Sequence, residues 1–526
     1  MSKSAEDMGA PFSPLSDRLR SIRVAFVGSS AHRWLARPVR SFLLDPSRML
    51  PLEDVVGGSL DLIVIDPHLD RTWRGSLHRT IGEARALDAA VIGLQGRGDT
   101  SWSGLVDATI GSRPRSADLS LTPTVDPRVD RPRALERSDG FRMVVPADHR
   151  LKRKLVPRLA EQVVPWAESP TAEAVGWIPE PGYDQATDDI ESWITDAVEL
   201  SELVVLSSAE AFSSSWSRVA WALRFIARGA PVITVDEGDD FEGQIPKELA
   251  ASMRQQLAHF NDPDHRQRIA LQQRTFVMRR MSNWAQWDRL LQGTGIRSAP
   301  LPRISAILAT KRPEFLADTV RQLQAQTYPA VEVVVVLHGD QWPQELPELD
   351  ELGMATTIVR AGADHRFGEA LNAGVAAASG ELITKVDDDD WYGPDHLWDL
   401  VLAYEHAGAT LVGKAAEWVY LQELDITIRR MTTPTDVNTN TIAGGAFVIS
   451  REDLRSIGGF RRVSRHVDQA LIADVVDARG VPFRTHGFGY VLQRHGGHTW
   501  DTDLDYFLGD ASVQHRGLAL WAAAAQ

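Results

Sequence analysis

From Ile304 onward the chain alternates short apolar runs with stretches whose apolar residues return every three or four positions. "ISAILAT" (304–310) and "VEVVVVLHG" (331–339) are near-continuous apolar runs, the pattern of strands buried on both faces. Between them, "RPEFLADTVRQLQAQ" sets Leu316, Val320 and Leu323 on one helical face, with Pro313 near the first turn. "GEALNAGVAAASG" predicts a helix closed by Gly380, and "ELITKV" predicts the strand after it. The order is βαβ repeated, in one unit of about 200 residues around a mostly parallel sheet.

The first half carries the same alternation more loosely. "RVAFVGSS" (23–30), "LDLIVID" (60–66) and "AAVIGLQG" (89–96) read as strands separated by amphipathic segments. A second set begins at "ELVVLSS" (202–208) and continues through a helix carrying Val219, Leu223 and Ile226 into the strand "PVITV". A polar helix and "SNWAQWDRLL" (282–291) close it. The Pro- and Arg-rich segment 122–137 reads as a linker, and "GTGIRSAPLPR" (293–303) as the main domain boundary. The expected organisation is a flexible leader over 1–20, a region 21–297 made of subdomains 21–150 and 151–297, a domain over 298–510, and a tail over 511–526.

Composition narrows the class. At 526 residues the chain is long enough for about three globular units. Its 43% hydrophobic and 24% charged content is ordinary for a folded protein. A net charge of −15 speaks against a general nucleic-acid binder, which needs clustered Lys and Arg. The chain has no cysteine, so any metal must be held by oxygen or imidazole. No window approaches the roughly 20 apolar residues that span a bilayer, and no signal-peptide pattern opens the chain. The expectation is a cytoplasmic protein, with peripheral membrane association compatible with it.

One stretch stands against the apolar background. "KVDDDDWYGPDHL" (385–397) puts four carboxylates directly after a strand. Two charges about 4 Å apart repel by about 1 kcal/mol in water and about 4 kcal/mol at an effective dielectric near 20. The run must point to solvent, take up protons, or hold a cation. An isolated run of this kind is most often a solvated turn, and Asp395 can cap a helix starting near His396. Its position favours the cation, because open α/β sheets bind ligands at the carboxyl ends of their strands. If strand geometry continues, Asp387 and Asp389 share a face. Two such carboxylates suit Mg²⁺ or Mn²⁺, whose open positions phosphate oxygens can fill.

Residues 304 to about 500 resemble a family-2 glycosyltransferase of the GT-A fold. The likeness is carried by "ISAILATKRPEFLADTVRQLQAQTYPAVEVVVV", "GEALNAGVAAASGELITKVDDDDWYGPDHL", "AGGAFVISREDLRSIGGF" and "VDQALIADVVDARG", in that order. The resemblance implies a metal-dependent, inverting hexosyltransferase that moves a sugar from a nucleoside-diphosphate donor to an acceptor hydroxyl. It implies Asp468, in place of the usual Glu-Asp pair, as general base, with helix capping as its plainer role. Around the nucleotide sugar it sets Thr310, Arg312, His338, Arg366, Lys385, Asp387, Asp388 and Gly445. Asp389 and His498 are the implied ligands of Mn²⁺ or Mg²⁺, with His495 close by in "QRHGGH". Trp391 and Trp500 are candidates for stacking on sugar faces, or for the core.

The chain also departs from that family. Where an aspartate contacting uracil is usual after the second strand, it reads Leu337-His338-Gly339-Asp340. The Gln-x-x-Arg-Trp motif of processive synthases is missing, with "LQRHGGHTW" in that neighbourhood. The first half more faintly resembles GT-B-type glycosyltransferases related to spore-maturation proteins, with Arg224 where a ribose-binding Glu is usual. That implies a non-catalytic pair of Rossmann-like units. Competing readings are a sugar-1-phosphate nucleotidyltransferase and a non-catalytic carbohydrate-binding or assembly protein. The acceptor class stays open among glycan, lipid-linked glycan, natural product and protein, and a homo-oligomer is compatible with all of them.

Overall fold

A computed structural model of the chain describes residues 22–27, 40–44, 51–65, 74–94, 105–111, 119–120, 143–145, 163–165, 203–206, 215–234, 259, 262–296, 301–346, 349, 354–430, 434–495, 503–509 and 511–524. The expected leader 1–20, the linker 122–137, His498 and Trp500 lie outside these residues. The chain divides into two compact units, with described residues 22–296 in one and 301–524 in the other.

The first unit holds two parallel sheets. Six strands, β1 (Arg23–Val27), β2 (Arg40–Leu44), β3 (Leu62–Ile65), β4 (Ala90–Leu94), β5 (Ala108–Gly111) and β6 (Leu119–Ser120), lie in the order β2-β1-β3-β4-β5-β6. Helices α1 (Leu52–Val56) and α2 (Arg74–Ala86) fall between them in the chain. A second sheet, β10-β9-β7-β8, is built from β7 (Met143–Val145), β8 (Val163–Pro165), β9 (Leu203–Leu206) and β10 (Val232–Thr234), with α3 (Ser215–Ala227) between the last two. Val219, Leu223 and Ile226 are buried, as their spacing predicts. Arg224 is buried as well. The unit ends in α4 (Pro263–Met281) and α5 (Asn283–Gly293), and Trp287, Leu290 and Leu291 of α5 pack with Val24, Phe26, Leu62 and Val64 of the six-stranded sheet.

The second unit is built on an eight-stranded mixed sheet. Its order is β13-β12-β11-β14-β20-β16-β21-β19, from β11 (Ile304–Thr310), β12 (Val331–His338), β13 (Thr356–Ala361), β14 (Leu382–Val386), β16 (Leu411–Lys414), β19 (Val437–Asn438), β20 (Phe447–Ser450) and β21 (Pro482–Thr485). Helices α6 (Pro313–Gln324), α7 (Phe367–Ala377), α8 (His396–Ala407), α9 (Arg451–Ser456) and α10 (Val467–Asp477) connect the strands. Alternation along β11 explains why every residue of it is buried. Ala306 and Leu308 pack with Leu316, Val320 and Leu323 of α6. Ile307 and Ala309 face the other way, among Leu371 and Val375 of α7 and Leu471 and Val475 of α10. Burying Leu308 on one side and Ile307 on the other stabilises the fold by about 1.5–3 kcal/mol each, and a slip by one residue would exchange the two sets and disrupt both packings.

Beside it lies a five-stranded sheet in the order β15-β22-β17-β18-β23, made of β15 (Trp391–Tyr392), β17 (Trp418–Leu421), β18 (Ile426–Arg430), β22 (Tyr490–Arg494) and β23 (Ala511–Arg516). Helices α11 (Leu504–Leu508) and α12 (Leu520–Ala523) accompany it. Residues 511–526, expected as a tail, therefore contribute a strand that pairs antiparallel with β18. Among the described residues no helix is long and apolar enough to cross a membrane.

Strand order locates a crevice. The chain runs from β11 outward through β12 and β13, then returns through α7 to lay β14 on the opposite side of β11. Such a reversal leaves a gap at the carboxyl ends of the two neighbouring parallel strands. Thr310 ends one of them and the acidic run follows the other.

Candidate active site

The strand β14 stops at Val386, and Asp387–Asp390 form a turn rather than more strand. Asp387 and Asp389 therefore do not share a strand face, contrary to the alternation expected from the sequence. Each of the four carboxylates is directed to a different set of partners, which answers how the charge is tolerated.

Asp387 accepts from Lys385 Nζ at 2.8 Å, and its backbone N–H donates to the Tyr392 hydroxyl at 2.8 Å. Asp388 points back toward β11, as the register Leu308↔Val386 requires of the residues two positions on. There it accepts from the Thr310 hydroxyl and from Arg312, whose Nε lies 3.1 Å from Asp388 Oδ2. Burial pushes the Asp388 carboxyl up from its ordinary value, against the opposing pull of Arg312 and Thr310. Asp389 Oδ2 lies 2.7 Å from Arg312 Nη2 and 3.0 Å from His495 Nε2. Asp390, 1% exposed, accepts from the Tyr490 hydroxyl at 2.6 Å and the Gln493 N–H at 3.0 Å. Burial, then Asp389 and Asp387, hold its carboxyl well above the usual range. Asp390 thus ties the turn to β22, and the first three aspartates are left to define the crevice.

Across the crevice, the loop before β20 closes on the acidic turn through two glycines. A Cβ on Gly445 would fall 2.6 Å from Asp387 Oδ2, 2.9 Å from Asp390 Oδ2 and 3.2 Å from the Tyr392 hydroxyl. One on Gly444 would fall 2.1 Å from Asp468 Oδ2. Consecutive bare backbones therefore let the Asp387 and Asp468 carboxylates seat against the same loop, one at each glycine. Lys385 joins them: its Nζ donates to Asp387 and, at 3.1 Å, to the Gly444 carbonyl. Burial works against the Lys385 charge, but the fields of Asp387, Asp468 and Asp390 outweigh it and hold the ammonium above ordinary lysine.

Asp468 is the second residue of α10, whose N-cap is His466 in the left-handed region at φ 59°. The plainer capping role expected for Asp468 is therefore not the one its position gives it. Asp395 does precede α8, but its side chain makes no capping bond and accepts from the Thr327 hydroxyl instead.

Six of the eight residues expected around a nucleotide sugar converge here: Thr310, Arg312, Lys385, Asp387, Asp388 and Gly445. The other two have their contacts elsewhere. His338, buried at the end of β12, donates from Nε2 to the His365 carbonyl at 2.8 Å. Burial, with Lys311 and His365 adding to it, lowers its pKa, so it is neutral near pH 7. Arg366 is the N-cap of α7 and donates to the Arg462 carbonyl at 3.0 Å. Trp391 is half-buried in β15, paired with Val491.

Residues 306–456 match the model of the glycosyl transferase family 2. The chain carries a family-2 glycosyl transferase domain. Among solved structures, S. aureus TarS is similar at 16% identity over 36% of this chain and 37% of that one, with a TM-score of 0.31. Residues 1–349 of TarS in complex with UDP-GlcNAc are similar at 16% identity over 39% and 64%, again with a TM-score of 0.31. The mannosyltransferase PcManGT from Pyrobaculum calidifontis, in complex with GDP-Man and Mn²⁺, is similar at 19% identity over 37% and 56%, with a TM-score of 0.28. The chain spans less than two thirds of each of these proteins. Comparison with curated proteins gave no match.

The geometry of the transferase domain adds residues that motif reading passed over. Gly444 bears on Asp468 as closely as Gly445 does on Asp387, and the doubled glycine in "AGGAF" was the signal for it. Tyr392 and Tyr490 fasten the acidic turn, and no spacing rule picks them out. Gly445→Ala is expected to lower stability by about 1–3 kcal/mol through overpacking, because Asp390, one of the groups its methyl would meet, is buried and doubly bonded. Urea denaturation measures this, and an unchanged midpoint would show that the acidic turn can give way.

A divalent ion fits this corner. Asp389 Oδ2 and His495 Nε2, 3.0 Å apart, offer a hard oxygen and an imidazole nitrogen to one point. Two neighbouring ligands at about 2.1 Å in octahedral geometry stand about 3.0 Å apart. No group of three or more His, Asp or Glu side chains converges among the described residues, so the remaining positions would fall to water or ligand oxygens. The expected ligand His498 lies outside those residues.

Proposed function

We propose that the domain transfers a sugar from a nucleoside diphosphate to an acceptor hydroxyl with inversion at the anomeric carbon, in a metal-dependent reaction. The observation that carries this is the seating of Asp387 and Asp468 against Gly445 and Gly444 near the switch point between β11 and β14; Asp387 and both glycines lie within the segment that matches the family, and Asp468 follows it. Asp387 and Lys385 orient the donor. Asp468 takes the proton of the acceptor hydroxyl as its oxygen attacks, a contribution of about 10²- to 10⁴-fold. Asp389 and His495 would hold Mn²⁺ or Mg²⁺, which when bound offsets charge developing on the diphosphate. Arg312, with five donors in a planar fork, suits the same oxygens.

Nucleotidyl transfer fits less well. That chemistry calls for a glycine-rich loop cradling phosphates after the first strand, whereas only Lys311 and Arg312 separate β11 from Pro313, the first residue of α6.

Full-length protein should be stabilised against heat by one of UDP, GDP, TDP or CDP together with Mn²⁺. The expected gain is about 2.7 kcal/mol at a hundred times the dissociation constant, and EDTA should abolish it. If no nucleotide raises the melting temperature with or without Mn²⁺, the donor site is not here.

A further inference from the structure

The acidic corner already holds a cation, and it belongs to the protein. Arg312 reaches Asp389 Oδ2 with Nη2 at 2.7 Å and His495 Nε2 with Nη1 at 3.2 Å, while Nε stays on Asp388 Oδ2 at 3.1 Å. The Phe315 ring supports both partners, with the guanidinium 4.8 Å from its centroid and the His495 ring stacked at 5.6 Å. We propose that Arg312 is an exchangeable counter-ion, which keeps Asp389 and His495 paired until the divalent ion arrives and then turns about its Asp388 contact onto the donor's diphosphate.

This rests on the metal-dependent transfer proposed above and adds to it an order of events. The carboxylate oxygen and imidazole nitrogen that an ion would use are the two atoms the guanidinium contacts, so one point cannot serve both cations. Arg312 cannot step aside by losing its proton. A guanidinium stays protonated in proteins. It must therefore move.

The contacts allow a partial move. Asp388 is fastened by the Thr310 hydroxyl and can remain as the pivot, so only the contacts to Asp389 and His495 need break. The side chain is 28% exposed, which leaves it a solvent side to turn toward. Metal and diphosphate then help each other to bind: the ion releases the guanidinium, and the diphosphate gives it a new bidentate partner. The two cations never crowd one carboxylate, and an empty site is not left with uncompensated charge.

Mn²⁺ titrations followed by electron paramagnetic resonance test this on the full chain, with and without inorganic pyrophosphate. Arg312→Gln is expected to bind Mn²⁺ alone about ten-fold more tightly than wild type, within the usual range of coupling between sites. Pyrophosphate should tighten Mn²⁺ binding in wild type, and that gain should shrink in Arg312→Gln. Arg312→Lys, which keeps the charge but loses the fork, should fall between the two and serves as the reporter if Arg312→Gln melts early. Equal or weaker Mn²⁺ binding by both variants, with Asp389→Asn losing it, overturns the exchange and leaves the metal site standing. Mn²⁺ binding that is indifferent to Asp389→Asn overturns the exchange and the metal assignment together.

Discussion

Asp468→Asn is expected to lower kcat by about 10²- to 10⁴-fold and to leave nucleotide binding nearly unchanged. Asparagine keeps the volume and the hydrogen-bonding oxygen, so the close seat against Gly444 survives. What it lacks is an acceptor basic enough to take a proton from the attacking hydroxyl. Position at the amino end of α10 strengthens the case. The N–H groups at the amino end of a helix favour negative charge, which suits a carboxylate in the first turn of α10. Calorimetry with the nucleotide that stabilises wild type, beside a steady-state rate, separates the two effects. Turnover at the wild-type rate would remove Asp468 from the reaction, and loss of nucleotide binding along with turnover would recast it as a donor contact.

Much of this domain could be read from its pattern, for a physical reason. β11, β12 and the helix between them are buried on both sides, so their apolar runs and helical spacing state the fold directly. The place of the acidic turn was legible on the same ground, since the strand that delivers it had to end at the sheet's carboxyl edge. Less of the turn's interior was legible. Four identical residues in a row carry no sign of which neighbour each will meet, and the partners of Asp389 and Asp390 lie about a hundred positions away at His495 and Tyr490. Strand period was the wrong rule there, because mutual repulsion is relieved by splaying the carboxylates through a turn. β23 was missed because "ASVQHR" is polar and takes its place by pairing with β18 rather than by an apolar signature. Arg366 and His338 were placed near the nucleotide by resemblance alone, and their backbone partners at Arg462 and His365 could only be seen in three dimensions.

Lys414→Met is expected to destabilise the protein by about 3–5 kcal/mol, the usual penalty for stripping one partner from a buried ion pair. Lys414 is wholly buried on β16, donating to Asp399 Oδ2 at 2.7 Å and to the Phe488 carbonyl. Its loss would leave the Asp399 carboxylate of α8 in the interior without that ammonium. The damage should also reach the site. Phe488 precedes Gly489, whose carbonyl accepts from Gly393 N–H at 2.9 Å, and Tyr490, whose hydroxyl holds Asp390. An ammonium buried 15 positions from its partner thus braces the strand on which the acidic turn hangs. Adding Asp399→Leu to Lys414→Met should recover most of the lost stability, because two apolar side chains of matched volume often replace a buried pair at little cost. Activity should return less completely, since the Phe488 carbonyl would still lack its donor. Urea denaturation of the two single variants and the double variant yields the coupling directly. A double variant no more stable than Lys414→Met would mean that the stability comes from the lysine's hold on Phe488 and not from its charge.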